Sequence, residues 1–181
     1  MSHTFFASED LVSRKLDEPL PPPLDCGREM QNRFLRECAW RDQQEMVSVT
    51  YIYFATGIPV AFATVSMDTV QLGSRERPKS IPYRSIGAVK LLQLGVDRPF
   101  QGIGLGGQVL EDLVALAREG SKRHGCRYLT LDAQPDLVGW YQEQGFVINR
   151  VAQKQRVEAA IASGRPVEEL AVSMRFDLID R

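Results

Sequence analysis

Hydrophobic positions change period several times along the chain. After Asp25, which can cap a helix, Met30, Phe34, Leu35, Cys38 and Ala39 recur at three- and four-residue spacing, and one helix with a single apolar face is predicted. From Met46 to Val70 the pattern becomes that of strands: two β-rich runs about Thr56-Gly57, hence an antiparallel hairpin. "SIGAVKLLQLGVD" (85–97) predicts a third long strand. Helical spacing returns from Gly104 to about Lys122, carried by Leu105, Val109, Leu113 and Leu116/Ala117. A short buried strand (126–133) follows, then a short helix in "DLVGWYQEQGF" that Gly145 stops. "VEAAIASGRP" reads as a helical turn inserted before a last strand at 168–178. Between these elements lie a proline-stiffened connector at 18–25, read as an extended arm, and a polar, basic loop at 73–84. The order predicts an α+β class: one mixed sheet with a single β-loop-α unit at its centre.

Composition narrows the setting rather than the chemistry. A chain of 181 residues is read as one domain, 1–181; with 44% hydrophobic and 25% charged residues it has the means to bury a core, which excludes disordered and collagen-like classes. "MSHTFFASED" reaches acidic residues too soon for a signal peptide, and no run is long enough to span a membrane. Cys26, Cys38 and Cys126 contain no C-x-x-C pair, so neither a disulfide framework nor a metal site is expected, and the reading is cytoplasmic. A formal net charge of −1 gives no sign of bulk nucleic-acid affinity.

The chemistry concentrates in "DRPFQGIGLGGQVLEDL" (97–113), with four glycines in the six positions 102–107. Such a turn ahead of a helix lets backbone N–H groups approach a pyrophosphate closely. Two fingerprints overlap there. Gly102, Gly104 and Gly107 fit the dinucleotide pattern G-x-G-x-x-G; Gln101, Gly104 and Gly106 fit Q/R-x-x-G-x-G, used for coenzyme A. Asp132, at a strand end, sits roughly where a ribose-binding acid would stand. Against the dinucleotide reading, five residues separate Val96 from the first glycine, and fewer than fifty residues follow Asp132. An antiparallel N-terminal half also suits a doubly wound sheet poorly. A nucleoside-triphosphate loop fails for want of G-K-[ST], and a turn that binds nothing would leave the entropic cost of four glycines unexplained.

"LLQLGVDRPFQGIGLGGQVLEDL" followed by "YLTLDAQPDLVGWYQEQGF" resembles the GNAT superfamily of acetyl-coenzyme A-dependent N-acetyltransferases. The resemblance covers Ile86 to Phe146 through both motifs, and the whole chain more loosely through element order. It implies a mostly antiparallel central sheet flanked by helices, with acetyl-CoA as cosubstrate and no metal. The amides of Gly102, Ile103, Gly104, Leu105, Gly106 and Gly107 would hold the pyrophosphate in the turn that Gln101 begins. The backbone of Leu94, Gly95 and Val96 would pair with the pantetheine arm, Gly95 permitting a bulge, and an N–H near Val96 would polarise the thioester carbonyl. Gln134 stands where many relatives have Asn and would touch the coenzyme arm. Tyr141, the tyrosine of W-Y-x-x-x-G-F, would protonate the departing thiolate; without the motif it reads as a core aromatic beside Trp140 and Phe146. Gly107 departs from the pattern, since many relatives carry Arg or Lys there, and one phosphate contact is removed.

"PLDCGREMQNRFLRECAWRDQQEMVSVTYIYFA" further resembles the opening of the toxin-like GNAT branch, through its D-C-G segment, N-x-F-L helix and T-Y strand. That resemblance implies an aminoacyl-tRNA acceptor and a small antitoxin as partners. No Asp or Glu occurs from Ile86 to Val96, where some of these enzymes carry a base, and His3 and His124 are poor candidates. At pH 7 a lysine amine is neutral in roughly one molecule in 2,500, an α-amine in roughly one in six. A site without an evident base therefore suits an α-amine or another amine of low pKa. The reading sets a peptide or small-molecule amine slightly ahead of aminoacyl-tRNA, with a non-catalytic coenzyme A-binding module as the alternative of another class. The cations of 75–98 (Arg75, Arg77, Lys79, Arg84, Lys90, Arg98) would meet a tRNA or form a solvated loop. No membrane partner is expected, and a homodimer is left open.

Overall fold

A computed structural model describes residues 11–19, 23–166 and 170–179. His3, residues 20–22 of the connector, and residues 168–169 of the expected last strand lie outside these. Among the described residues, seven strands and five helices follow in the order β1 (Leu11–Lys15), α1 (Glu29–Glu37), α2 (Ala39–Gln44), β2 (Val49–Ala55), β3 (Ile58–Gln71), β4 (Ser85–Val96), α3 (Leu105–His124), β5 (Tyr128–Ala133), α4 (Val138–Glu143), β6 (Val147–Ile148), α5 (Val151–Ala162) and β7 (Val172–Asp177). The strands form one sheet in the order β1-β2-β3-β4-β5-β7-β6. The pairings β1–β2, β2–β3, β5–β7 and β6–β7 are antiparallel. This is the α+β arrangement the sequence predicts, with β4, the glycine turn and α3 as its β-loop-α unit.

The chain divides into two compact units. One takes the described residues up to Ser66 together with Leu91–Ala115; the other takes Met67–Lys90 and the residues from Leu116 on. In the first, Leu16, Leu24, Leu35, Ala39, Ile52 and Phe62 form a buried cluster. The hairpin turns where expected: Thr56 and Gly57 both adopt positive φ (50° and 82°), the twist that suits a two-residue loop between right-twisted strands. Pro59, which has no N–H to give the ladder, lies opposite a register shift at Tyr53/Phe54. Tyr53 is wholly buried and its hydroxyl donates to Asp112 on α3 at 2.9 Å. In the second unit Val70, Leu72, Ile86, Ala88 and Tyr128 form the corresponding cluster.

Several expectations are corrected. Asp25 does not cap α1; the helix begins after Arg28, without a side-chain cap. The single predicted helix breaks at Cys38 into α1 and α2, and Met30 is exposed while the polar Asn32 is buried. β1 and β6 carry too few residues to show a period. α5 is a full twelve-residue helix, where the sequence reads as a helical turn, because its apolar side chains, mostly alanine, do not gather on one face.

Candidate active site

The predicted coenzyme turn is built from backbone and held from behind by side chains. A short 3-10 turn (Arg98–Phe100) carries the chain from β4 to Gln101. Gly102 and Gly104 then adopt φ of 77° and 88°, a conformation that side chains resist, and nothing lies within 4 Å of where a Cβ would stand on either. Gly107 and Gln108 donate to the Gly104 carbonyl at 3.0 and 3.3 Å, so the amides of Leu105 and Gly106 precede the first internal bond of α3. Leu105 is buried and anchors the helix start; Ile103, Gly106 and Gly107 are half-buried.

Gln101 is exposed, but its amide turns back onto the chain. Its Nε2 donates to the carbonyls of Val96 (2.8 Å) and Cys26 (2.9 Å), so its amide ties the turn to the D-C-G segment. That segment is itself locked. The Asp25 amide donates to the Asp97 carboxylate at 2.8 Å, and the Arg98 amide donates to the Asp25 carbonyl at 2.9 Å. Asn32, nearly buried, donates to the Asp25 carboxylate at 2.7 Å and accepts from the Cys26 amide at 3.0 Å. Arg98 stands 3.2 Å from the same carboxylate. The Gly27 amide, then Asn32 and Arg98, hold the Asp25 carboxyl below the ordinary carboxylate range. Burial pushes the Cys26 thiol up, which makes it an unreactive structural group. Nothing in the sequence links residues 25–32 to 97–101, and this buttress was missed.

Gly95 is buried, and a Cβ there would lie 2.5 Å from the Phe62 ring. Leu94 and Val96 on either side are half-buried. In the second unit, Gln134 caps the short turn Pro135–Leu137, and its side-chain oxygen is buried with no hydrogen-bond partner. Tyr141, 7% exposed, packs edge-on against Trp140 and Phe146, with ring centroids 4.7 and 5.6 Å apart. Gly145, at φ 88°, ends α4 as expected. β4 presents Lys90 and no carboxylate; Lys90 pairs with Asp132 at 2.6 Å, so Asp132 is engaged in an ion pair. Of the other basic residues, Arg75, Lys79 and Arg84 are exposed, and Arg77 donates to the Pro82 carbonyl at 2.9 Å. Among the described residues no three His, Cys, Asp or Glu side chains gather as metal ligands, and no helix is long and apolar enough to cross a membrane.

Comparison with known proteins places this geometry. The sequence model of the acetyltransferase (GNAT) family matches residues 14–146. No curated protein matches the chain by sequence. Among solved structures, a bacterial toxin superposes with a TM-score of 0.75 at 21% identity, over 93% of this chain and 90% of its own. AtaT complexed with acetyl-methionyl-tRNAfMet gives 0.73 at 22%, over 93% and 95%. A tyrosine-to-phenylalanine mutant of the AtaT toxin, bound to acetyl-CoA and the C-terminus of the antitoxin AtaR, gives 0.69 at 19%, over 93% and 94%.

Proposed function

Because the chain belongs to the acetyltransferase (GNAT) family, we propose that it transfers the acetyl group of acetyl-CoA to a primary amine. The glycine turn carries this reading. Its left-handed glycines open onto free space, the unbonded amides of a twenty-residue helix follow, and Gln101 fixes the approach from behind. Pyrophosphate is held there by N–H groups and the helix dipole. The edge of β4 at Leu94–Val96 receives the pantetheine amides, and the unpartnered Gln134 oxygen accepts an N–H from the same arm.

The amine nitrogen attacks the thioester carbonyl as the free base, the C–S bond breaks, and the thiolate takes a proton as the amide forms. We assign that proton to the Tyr141 hydroxyl, and the proton that the attacking nitrogen sheds as the amide forms returns to the tyrosinate through water. An unperturbed phenol at about 10 sits above a thiol at about 8.5, so the transfer is uphill yet feasible for a positioned acid. With no carboxylate on β4 to act as a base, the amine must be one that gives up its proton readily near neutral pH, which favours an α-amine. The aminoacyl group of a tRNA is the acceptor we favour, in keeping with the toxin-like neighbours; a peptide or small-molecule α-amine is the second reading. An antitoxin partner belongs with the first.

The test is a screen of charged tRNA, peptides and small amines with labelled acetyl-CoA, read by mass spectrometry on wild type and Tyr141→Phe. The variant keeps the ring packing, so coenzyme binding and melting temperature should hold while kcat falls by roughly 10²-fold. Near-full kcat would make Tyr141 a packing residue and pass the proton to water. Coenzyme binding without transfer to any amine would leave a non-catalytic module.

A further inference from the structure

The second unit holds a cavity of about 620 Å3 between the sheet and α5 whose walls are polar where packing would demand apolar ones. Val157 is the only buried residue of α5. Gln153 pins the helix to β7 instead, donating to the Ala171 carbonyl and accepting from the Ser173 amide, both at 3.3 Å. One turn further on, Arg156 lines the cavity from the helix side. On the sheet side Thr130, buried, donates to the Asp68 carboxylate at 2.9 Å and orients it. Among the described residues no cation pairs with Asp68, whereas Lys90 and Asp132 neutralise each other. A second cavity of about 410 Å3 shares Gln71 and Arg150 with the first and adds Arg77 and Arg84. Arg84, Arg150 and Arg156 have no carboxylate partner among the described residues.

The charges are therefore sorted. One oriented, unpaired carboxylate stands at the sheet, and a trail of arginines leads away through Arg150 into the adjoining cavity. A carboxylate suits an ammonium; guanidinium forks suit phosphate oxygens. A peptide brings its amine without nearby phosphates and leaves the arginines unexplained. We propose that the two cavities form one acceptor site for an amine joined to phosphates, Asp68 taking the ammonium and Arg84, Arg150 and Arg156 the phosphates. The assignment rests on the acetyl-transfer reading for its purpose. The chemistry is that of an aminoacylated RNA end or of a small aminoalkyl phosphate.

Binding alone tests it, so transfer activity is not required. The probes are glycinamide, O-phosphoethanolamine, and the trinucleotide CCA bearing a 3′-glycylamido group, titrated calorimetrically into the full chain. The trinucleotide should bind roughly tenfold tighter than glycinamide at low salt. The double variant Arg84→Gln/Arg150→Gln should erase that advantage and leave glycinamide within about twofold. Asp68→Asn should weaken all three by about fivefold or more. Thr130→Val, which removes the hydroxyl that orients the carboxylate, should weaken all three by less than Asp68→Asn does, and an unchanged melting temperature serves as the folding control for every variant. O-Phosphoethanolamine binding as tightly as the trinucleotide would identify a small aminoalkyl phosphate; weaker binding would identify the RNA end. Unchanged trinucleotide affinity in the double variant, or unchanged affinities in Asp68→Asn, would overturn the proposal. If this pattern appears but acetyl-CoA does not raise the melting temperature, the acetyl-transfer reading fails and the cavity assignment stands.

Discussion

The glycine turn and the arginine-lined cavity solve opposite problems by opposite means. The turn presents backbone: Gly102 and Gly104 offer no side chains, and the supporting side chains, Gln101 and Asn32, spend their hydrogen bonds behind it. The cavity presents side chains on an ordinary backbone: Asp68 on β3, Arg84 just before β4, and Arg150 and Arg156 at the cap and in the body of α5. A backbone site suits a ligand part that never varies, since amides bind phosphate whatever the neighbouring residues are. A side-chain site can be rewritten one substitution at a time. The difference teaches where to look for what the family shares and where to look for what this chain selects.

The largest effect should come from Gly104→Val. At φ 88° a β-branched residue is strained by more than the roughly 1–2 kcal/mol that a simpler side chain meets there, and its methyls would fill the open space over the turn. Acetyl-CoA affinity should fall by about a hundredfold, and with it the coenzyme's rise in melting temperature. Glycinamide binding at the cavity should be untouched. A variant that binds acetyl-CoA like wild type would remove the turn from the coenzyme site; stabilisation of the wild type by NAD instead would restore the dinucleotide reading.

That asymmetry also explains what could be read in the sequence. Glycine spacing survives in one dimension because the turn is local, so the β-loop-α unit, the hairpin at Thr56-Gly57 and the helix stop at Gly145 were all legible. Asp25 was legible as a helix cap and turned out to be a brace, because its partner Arg98 is 73 positions away and only the fold brings them together. Lys90 and Arg84 were legible as charges, but not as members of a pair or a trail. α5 was shortened for a related reason: a helix over a polar cavity lacks the apolar stripe by which helices are recognised.

Gly95 sharpens the comparison from inside the first unit. If it is glycine because Phe62 fills its Cβ position, Gly95→Ala should destabilise the fold by about 1–3 kcal/mol, since Phe62 is wholly buried and its ring has little room to yield. Adding Phe62→Leu should recover much of the loss, a coupling that shows as non-additivity in chemical denaturation. If instead the coenzyme needs a bulge there, the double variant would regain stability while its acetyl-CoA affinity stayed low.

The smallest effect is expected at the basic loop. Arg77 is left in place because it donates to the Pro82 carbonyl, and replacing it would mix loop structure with charge. Arg75→Gln with Lys79→Gln removes two exposed cations that no described group holds in place. Such side chains act on a nucleic acid mainly through the field, which is screened beyond about 8 Å at physiological salt. Transfer to charged tRNA should fall by about threefold at low salt and by less at high salt, with a small amine acceptor unaffected. The Arg84→Gln/Arg150→Gln variant, measured beside it, should lose several times more. Were the loop variant to lose as much as the cavity variant, the phosphates would be tracked by Arg75 and Lys79, and the acceptor's specificity would belong to the loop rather than to the cavity.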